Sequence, residues 1–131
     1  GIMDAEDAKL AVASGADAIV VSNHGGRQLD GAPSSIEALP AIVAEVGNQI
    51  EVWMDGGIRS GQDVLKAWAL GAKGVMIGRA MVYGLGARGE AGVTKALQII
   101  HKELDITMAF CGHTNIQHVD ARILIPGTYP V

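Results

Sequence analysis

Three short apolar, β-branched runs set the strongest limit on what this chain can fold into: Ala18-Ile19-Val20-Val21, Val52-Trp53-Met54 and Gly74-Val75-Met76-Ile77. Each is too short for a helix and lacks strict polar alternation, which predicts strands of a buried parallel sheet with Trp53 in the core. The runs are centred near residues 19, 52 and 75, 33 and 23 residues apart, the spacing of βα units. Helical patterns with readable starts lie between them. Asp4 caps a helix over Ala5–Ser14 that Gly15 closes. Ser34 and Glu37 have capping-box spacing, and a helix follows to about Val46 and Gly47, with a break or restart expected at Pro40. Ser60 and Asp63 start a third helix that ends at Leu70-Gly71, and Trp68 is expected to pack between this helix and the sheet. In the last helix Val93, Leu97, Ile100, Leu104, Met108 and Cys111 recur at three- and four-residue steps and form one apolar face, with Gly112 as the stop. The tail from His113 to Val131 is irregular, with a turn at Pro126-Gly127.

The order helix, strand, helix, strand, helix, strand, helix suits either an open doubly wound sheet or a segment of a (β/α)8 barrel. Three or four strands fit an open sheet poorly, and a complete barrel needs about 250 residues. At 131 residues, with a chain that begins at Gly1-Ile2 already inside a structured pattern, residues 1–131 read as one partial barrel domain. Half of the residues are apolar and 18% are charged, as in a folded core. The net charge of −4 and pI near 5.4 argue against nucleic-acid binding. One cysteine, Cys111, rules out an internal disulfide and suits a reducing compartment; it is read as a packing residue. Apolar runs fall far short of the ~20 residues of a membrane span, and no charged-then-apolar leader is visible. A cytoplasmic location follows, compatible with peripheral membrane attachment of a longer protein.

Every strand ends in a polar, glycine-rich loop: Ser22-Asn23-His24-Gly25-Gly26-Arg27-Gln28-Leu29-Asp30-Gly31, then Asp55-Gly56-Gly57-Ile58-Arg59, then Gly78-Arg79. The other strand ends carry nothing comparable, which places the active face at the strand carboxyl ends. Three of the five arginines, Arg27, Arg59 and Arg79, lie on that face of an acidic chain. The last two loops read as a phosphate site, because glycine lets backbone N–H groups approach oxygens, helix starts add a favourable dipole, and arginine donates bidentately. The competing view is that the glycines only make tight turns and the arginines are solvated; the repeated Gly-plus-Arg pattern favours the phosphate site. His24, just past a strand and flanked by glycines, can remove a proton beside a carboxylate held by Arg27. The alternative for His24 is a local hydrogen bond that orders the loop. Asp30 is read as support, orienting Arg27 or capping the next segment.

The stretch Ser22 to Asp30 resembles the signature of the FMN-dependent 2-hydroxy-acid oxidases and dehydrogenases, a family that includes glycolate oxidase, L-lactate dehydrogenase and mandelate dehydrogenase. Asp55 to Gly61, Lys66 to Ala72, Gly78-Arg79 and Tyr83 to Glu90 are similar to later family segments. The Asp-Gly-Gly-Ile and Ala-Leu-Gly-Ala patterns also occur in IMP dehydrogenase-like barrels, whereas the nine residues around His24 exclude that relative. The resemblance implies the C-terminal half of a TIM barrel, strands six to eight with their helices. It implies His24 as active-site base and Arg27 as binder of the substrate carboxylate. It further implies that Ser22 contacts the flavin, and that Asp55, Gly56, Gly57, Ile58, Arg59, Gly78 and Arg79 hold FMN at its ribityl phosphate. A small L-2-hydroxy acid would be oxidised to the 2-oxo acid, with electrons passing through FMN to an acceptor the residues do not name.

Departures from the pattern bear on activity. The family lysine that faces the flavin would immediately precede Gly1. Strands one to four, with the family's substrate-binding tyrosines, a second arginine and the aspartate paired to the histidine, have no counterpart here. Ala80 stands where proline is usual, and Trp68 where leucine is frequent. The isolated chain is therefore expected to be inactive and to self-associate as a homo-oligomer that covers its strand edges. Two rivals accompany this reading: another FMN barrel acting on a phosphorylated substrate, and a non-catalytic half-barrel scaffold. His101 is read as solvated. His113 and His118 lack a third ligand, so no metal site is assigned.

Overall fold

The computed structural model describes residues 1–129, so the end of the expected tail, Pro130 and Val131, lies outside the described residues. Strands β1 (Ala18–Val21), β2 (Glu51–Met54) and β3 (Gly74–Val75) form a parallel sheet in the order β1-β2-β3. Ile19 pairs with Val52 and Val21 with Met54, and Met54 pairs with Val75. Ile2 adds one parallel bridge to Val21 on the outer side of β1. Helices α1 (Ala5–Ala13), α2 (Ser35–Val46), α3 (Gly61–Ala69) and α4 (Arg79–Phe110) complete the βα alternation expected from the strand spacing. Their starts follow from local chemistry. Asp4 accepts the Glu6 amide at 2.8 Å, Glu37 reaches back to the Ser34 amide, and Ser60 and Asp63 close a reciprocal capping box.

The core is one-sided. Ile19, Val21, Val52 and Met54 turn to the helix layer and are buried against Ala8 of α1, Leu39, Ile42 and Val46 of α2, and Ala67 and Leu70 nearby. The opposite face carries Val20, Trp53 and Met76, and Trp53 is 36% exposed. This corrects the expectation of strands buried on both faces with Trp53 in the core. No layer covers that face among the described residues, so β2 alternates in burial although its sequence does not. The Trp53 ring instead lies over Gly74 of β3, where any side chain would collide with it, and its indole N–H donates to Glu51 at 2.9 Å.

Other expectations also change. Pro40 does not break α2: it costs one amide donor, while Leu39 and Ile42 on either side are buried and offset the loss. β3 is two residues long rather than four, although the Met76 amide still donates to Met54 at 2.9 Å. Trp68 packs away from the sheet, with Leu65, Leu104, Met108 and Val119, and Lys73 Nζ lies 5.8 Å from its ring centre. The last helix begins at Arg79, earlier than its apolar stripe, and is interrupted at Arg88 and Gly89. Of that stripe Leu104 and Met108 are packed, whereas Leu97 is half exposed and Cys111, capping the helix end, is exposed. His101 is exposed as expected, and Pro126-Gly127 forms the expected turn.

Candidate functional site

The carboxyl ends of all three strands open on one side, and a cleft of about 380 Å³ lies among the loops that follow them. Its walls come from the end of β2 and its loop (Met54, Gly56, Gly57, Ile58, Arg59), from α3 (Asp63, Lys66), and from the start of α4 (Arg79). Asn23 and Gly25 after β1, the α2 start and Tyr129 complete it. Three cations, Arg59, Lys66 and Arg79, thus face one carboxylate, Asp63, so the cleft is cationic in an acidic chain. Arg27, Arg59 and Arg79 have no carboxylate within ion-pair distance among the described residues.

The loop after β1 is held by its own polar groups. Buried Ser22 accepts the His24 amide at 3.1 Å, Asn23 accepts the Gly25 amide at 2.9 Å, and Asn23 donates to the Pro33 carbonyl at 3.1 Å. Ser35 of α2, also buried, accepts the Asn23 amide at 3.2 Å. These bonds support a 3-10 turn over His24–Gly26 in which His24 takes φ +55°, the only positive φ outside glycine among the described residues. Such a conformation costs ~1–3 kcal/mol and persists only where the surroundings impose it. His24 and Arg27 remain exposed at the two ends of this turn. The imidazole lies against Gly1, where any side chain would collide with it.

The loop after β2 is arranged differently. The Arg59 and Ser60 amides both donate to Asp63 at 3.0 Å, and the Gly61 amide donates to Glu103 of α4 at 3.0 Å. The Asp55 carboxylate has one buried oxygen, Oδ1, with no partner among the described residues. A buried acceptor of this kind is completed by an ordered water, an ion or a donor from a ligand. At the third strand end no side chain among the described residues caps α4, its first turn holds no acidic residue, and the Arg79 guanidinium reaches to within 3.8 Å of where a Gly25 side chain would start.

The cleft brings together Gly56, Gly57, Ile58, Arg59 and Arg79 of the residues expected from sequence. His24, Arg27, Ser22, Asp55 and Gly78 are not in its wall; His24 and Arg27 stand at its rim through Gly25, and Ser22 is sealed beneath them. Asp30 neither pairs with Arg27 nor caps α2: it accepts the adjacent Gly31 amide at 3.1 Å, and Ser34 takes the capping position. Sequence reasoning missed Lys66, Ser35 and Tyr129 as wall residues. Lys66 was findable, one helical turn after Asp63 and so on the same face of α3. Nothing in the sequence points to Tyr129.

The FMN-dependent dehydrogenase family matches residues 1–126, and the chain belongs to that family, whose cofactor is FMN. It is 56% identical over 124 residues to an L-lactate dehydrogenase of Caulobacter vibrioides, covering 95% of this chain and 32% of the relative. It is 54% identical over 127 residues to a pre-mycofactocin synthase of Mycobacterium tuberculosis, covering 96% and 32%. Among solved structures it superimposes on the monotopic membrane protein (S)-mandelate dehydrogenase with a TM-score of 0.91 at 46% identity, covering 95% and 33%. The chain therefore spans about a third of the length of these relatives.

The residues present fit one end of FMN. A cationic cleft with glycine walls has the charge and the close backbone approach that a phosphate needs. No helix among the described residues is long and apolar enough to cross a membrane.

Proposed function

We propose that this chain is the C-terminal part of a (β/α)8 barrel, strands six to eight with their helices. Within a longer protein it binds FMN and oxidises a small L-2-hydroxy acid to the 2-oxo acid. The observation that carries the substrate class is Arg27: exposed, free of any carboxylate partner among the described residues, and on the same turn as His24. A planar guanidinium matches a carboxylate bidentately, and a base fixed beside it reaches the carbon and hydroxyl next to that carboxylate. His24 takes the proton from there, and Ser22 and Asn23 keep its backbone in the required turn. Asp55, Gly56, Gly57, Ile58, Arg59, Gly78 and Arg79 hold FMN at its ribityl phosphate, and Ser22 lies toward the flavin. FMN supplies the two-electron acceptor. Identity is nearly equal to the lactate dehydrogenase and to the pre-mycofactocin synthase, so it does not choose between their chemistries, and the His24–Arg27 turn favours a hydroxy acid. Anaerobic addition of lactate, glycolate or mandelate to the longer FMN-loaded protein should bleach the flavin and yield the oxo acid. Persistent yellow colour with all three would end this reading.

The isolated chain is proposed to be inactive and to self-associate. Trp53 is 36% and Met76 41% exposed on a sheet face that no helix covers among the described residues, where β3 also presents an unpaired edge. A second copy would cover both. Equilibrium sedimentation should find a dimer or larger; a stable monomer at micromolar concentration would remove this part. The lone thiol, Cys111, suits the cytoplasm.

A further inference from the structure

Glu103 lies on α4, outside the cleft, yet its carboxylate accepts the amide of Gly61, 42 residues away in sequence, at 3.0 Å. Gly61 is the first residue of α3 and buried; a side chain there would overlap the backbone of Glu103 and Leu104, so the two helices meet backbone to backbone. Leu104 packs with Leu65 and Ala69, which keeps the Glu103 turn of α4 on α3. Asp63 takes the two preceding amides, Arg59 and Ser60. Three successive amides thus end on carboxylates and are withheld from any ligand. What this segment offers to the cleft is the Arg59 side chain.

We propose that Glu103 is a positioning residue: by clamping Gly61 it fixes the Arg59 loop at the anion end of the cleft, and so sets phosphate binding without touching the phosphate. This rests on the FMN reading above. Charge alone acts in the opposite sense, because a carboxylate near an anion weakens its binding. If charge were the whole effect, removing Glu103 would tighten FMN binding; the clamp requires that it loosen.

The test titrates the longer protein, freed of flavin, as wild type, Glu103→Gln and Glu103→Ala, with FMN and with riboflavin, which lacks the phosphate, following flavin fluorescence. The wild type should prefer FMN. Glu103→Ala should shrink that preference on the order of tenfold, the scale of a lost hydrogen bond to a charged group, and leave riboflavin unchanged. Glu103→Gln, which keeps an acceptor oxygen but not the charge, should retain the preference. Exchange of the Arg59 amide with solvent, read by NMR without flavin, should quicken in Glu103→Ala and not in Glu103→Gln. Equal losses for both flavins, an undiminished preference in Glu103→Ala, or unchanged Arg59 exchange would each overturn the proposal. A wild type with no preference for FMN would overturn the FMN reading with it. If Glu103→Ala fails to fold, Glu103→Asp, one methylene too short for Gly61, replaces it.

Discussion

The loops after β1 and β2 have similar ingredients, glycines, an arginine and a nearby serine, and use them in opposite ways. After β1, the backbone is bent into a left-handed residue at His24 and pinned by Ser22, Asn23 and Ser35, which leaves Arg27 exposed and His24 exposed beside Gly1. After β2, the backbone is closed onto carboxylates from α3 and α4, and Gly56, Gly57, Ile58 and Arg59 face the cleft. The first arrangement suits groups that must act on a reacting centre. The second suits a fixed seat for an anion. The two meet at Gly56, whose backbone lies against Ser35 Oγ and Asn23 Oδ1.

The division is broken most severely at His24. In the longer FMN-loaded protein, His24→Gln should lower turnover by about 10²–10⁴-fold, the range of a lost general base, and leave the flavin bound. Normal turnover in the yellow variant would take His24 out of the chemistry. Arg27→Lys comes next. It keeps the charge and loses the planar fork, so kcat/KM for a 2-hydroxy acid should fall by ~1.5–3 kcal/mol, about one to two powers of ten. Flavin content should not change; a matching loss of FMN would move Arg27 to the cofactor side and erase the contrast between the loops.

Much of this contrast was legible beforehand, and the illegible part has a common cause. The three strands, four helices and the capping pairs Ser34–Glu37 and Ser60–Asp63 are local signals, written within a few residues of where they act. The one-sided burial of Trp53, the packing of Trp68 against α4 and the Glu103–Gly61 bond depend on which element lies opposite, and no spacing rule reports that. Pro40 failed as a break for the same reason: the buried neighbours that hold α2 together are tertiary. Of the cleft wall, the strand-end glycines and arginines were readable because βα topology sends every such loop to one side. Tyr129 arrives from a tail without periodicity.

Gly56→Ala tests whether the loops are independent. Gly56 has φ +89°, and a methyl group there would stand 2.9 Å from Ser35 Oγ and 3.2 Å from Asn23 Oδ1. The strained backbone alone should cost about 1–2 kcal/mol of stability by denaturant unfolding. Because Ser35 and Asn23 hold the His24 turn, the substitution should also speed exchange of the His24 and Gly25 amides. Protection that stays at its original level there would make the loops separate units.

The smallest effect lies at the entrance of α2, where Ser34 lines the cleft beside Ser35. The Ser34 hydroxyl donates to Glu37 at 2.6 Å and the Ser34 amide at 3.2 Å, and these bonds hold the Glu37 carboxyl below its ordinary value of 4.5. A carboxyl depressed on folding stabilises the native state above its unfolded pKa, and the gain is lost as pH falls through the folded value. Ser34→Ala removes the larger of the two bonds. The part of its deficit that comes from Glu37 should therefore be full at neutral pH, diminish below about pH 4.5 and vanish once Glu37 is protonated in both states, leaving the pH-independent loss of the cap. Thermal unfolding of the two proteins across that range measures it. A deficit that is constant with pH would assign the loss to packing of Ser34 rather than to its bond with Glu37. A deficit that spreads to the His24 and Gly25 amides would show that the α2 entrance, and not Ser35 and Asn23 alone, holds the first loop.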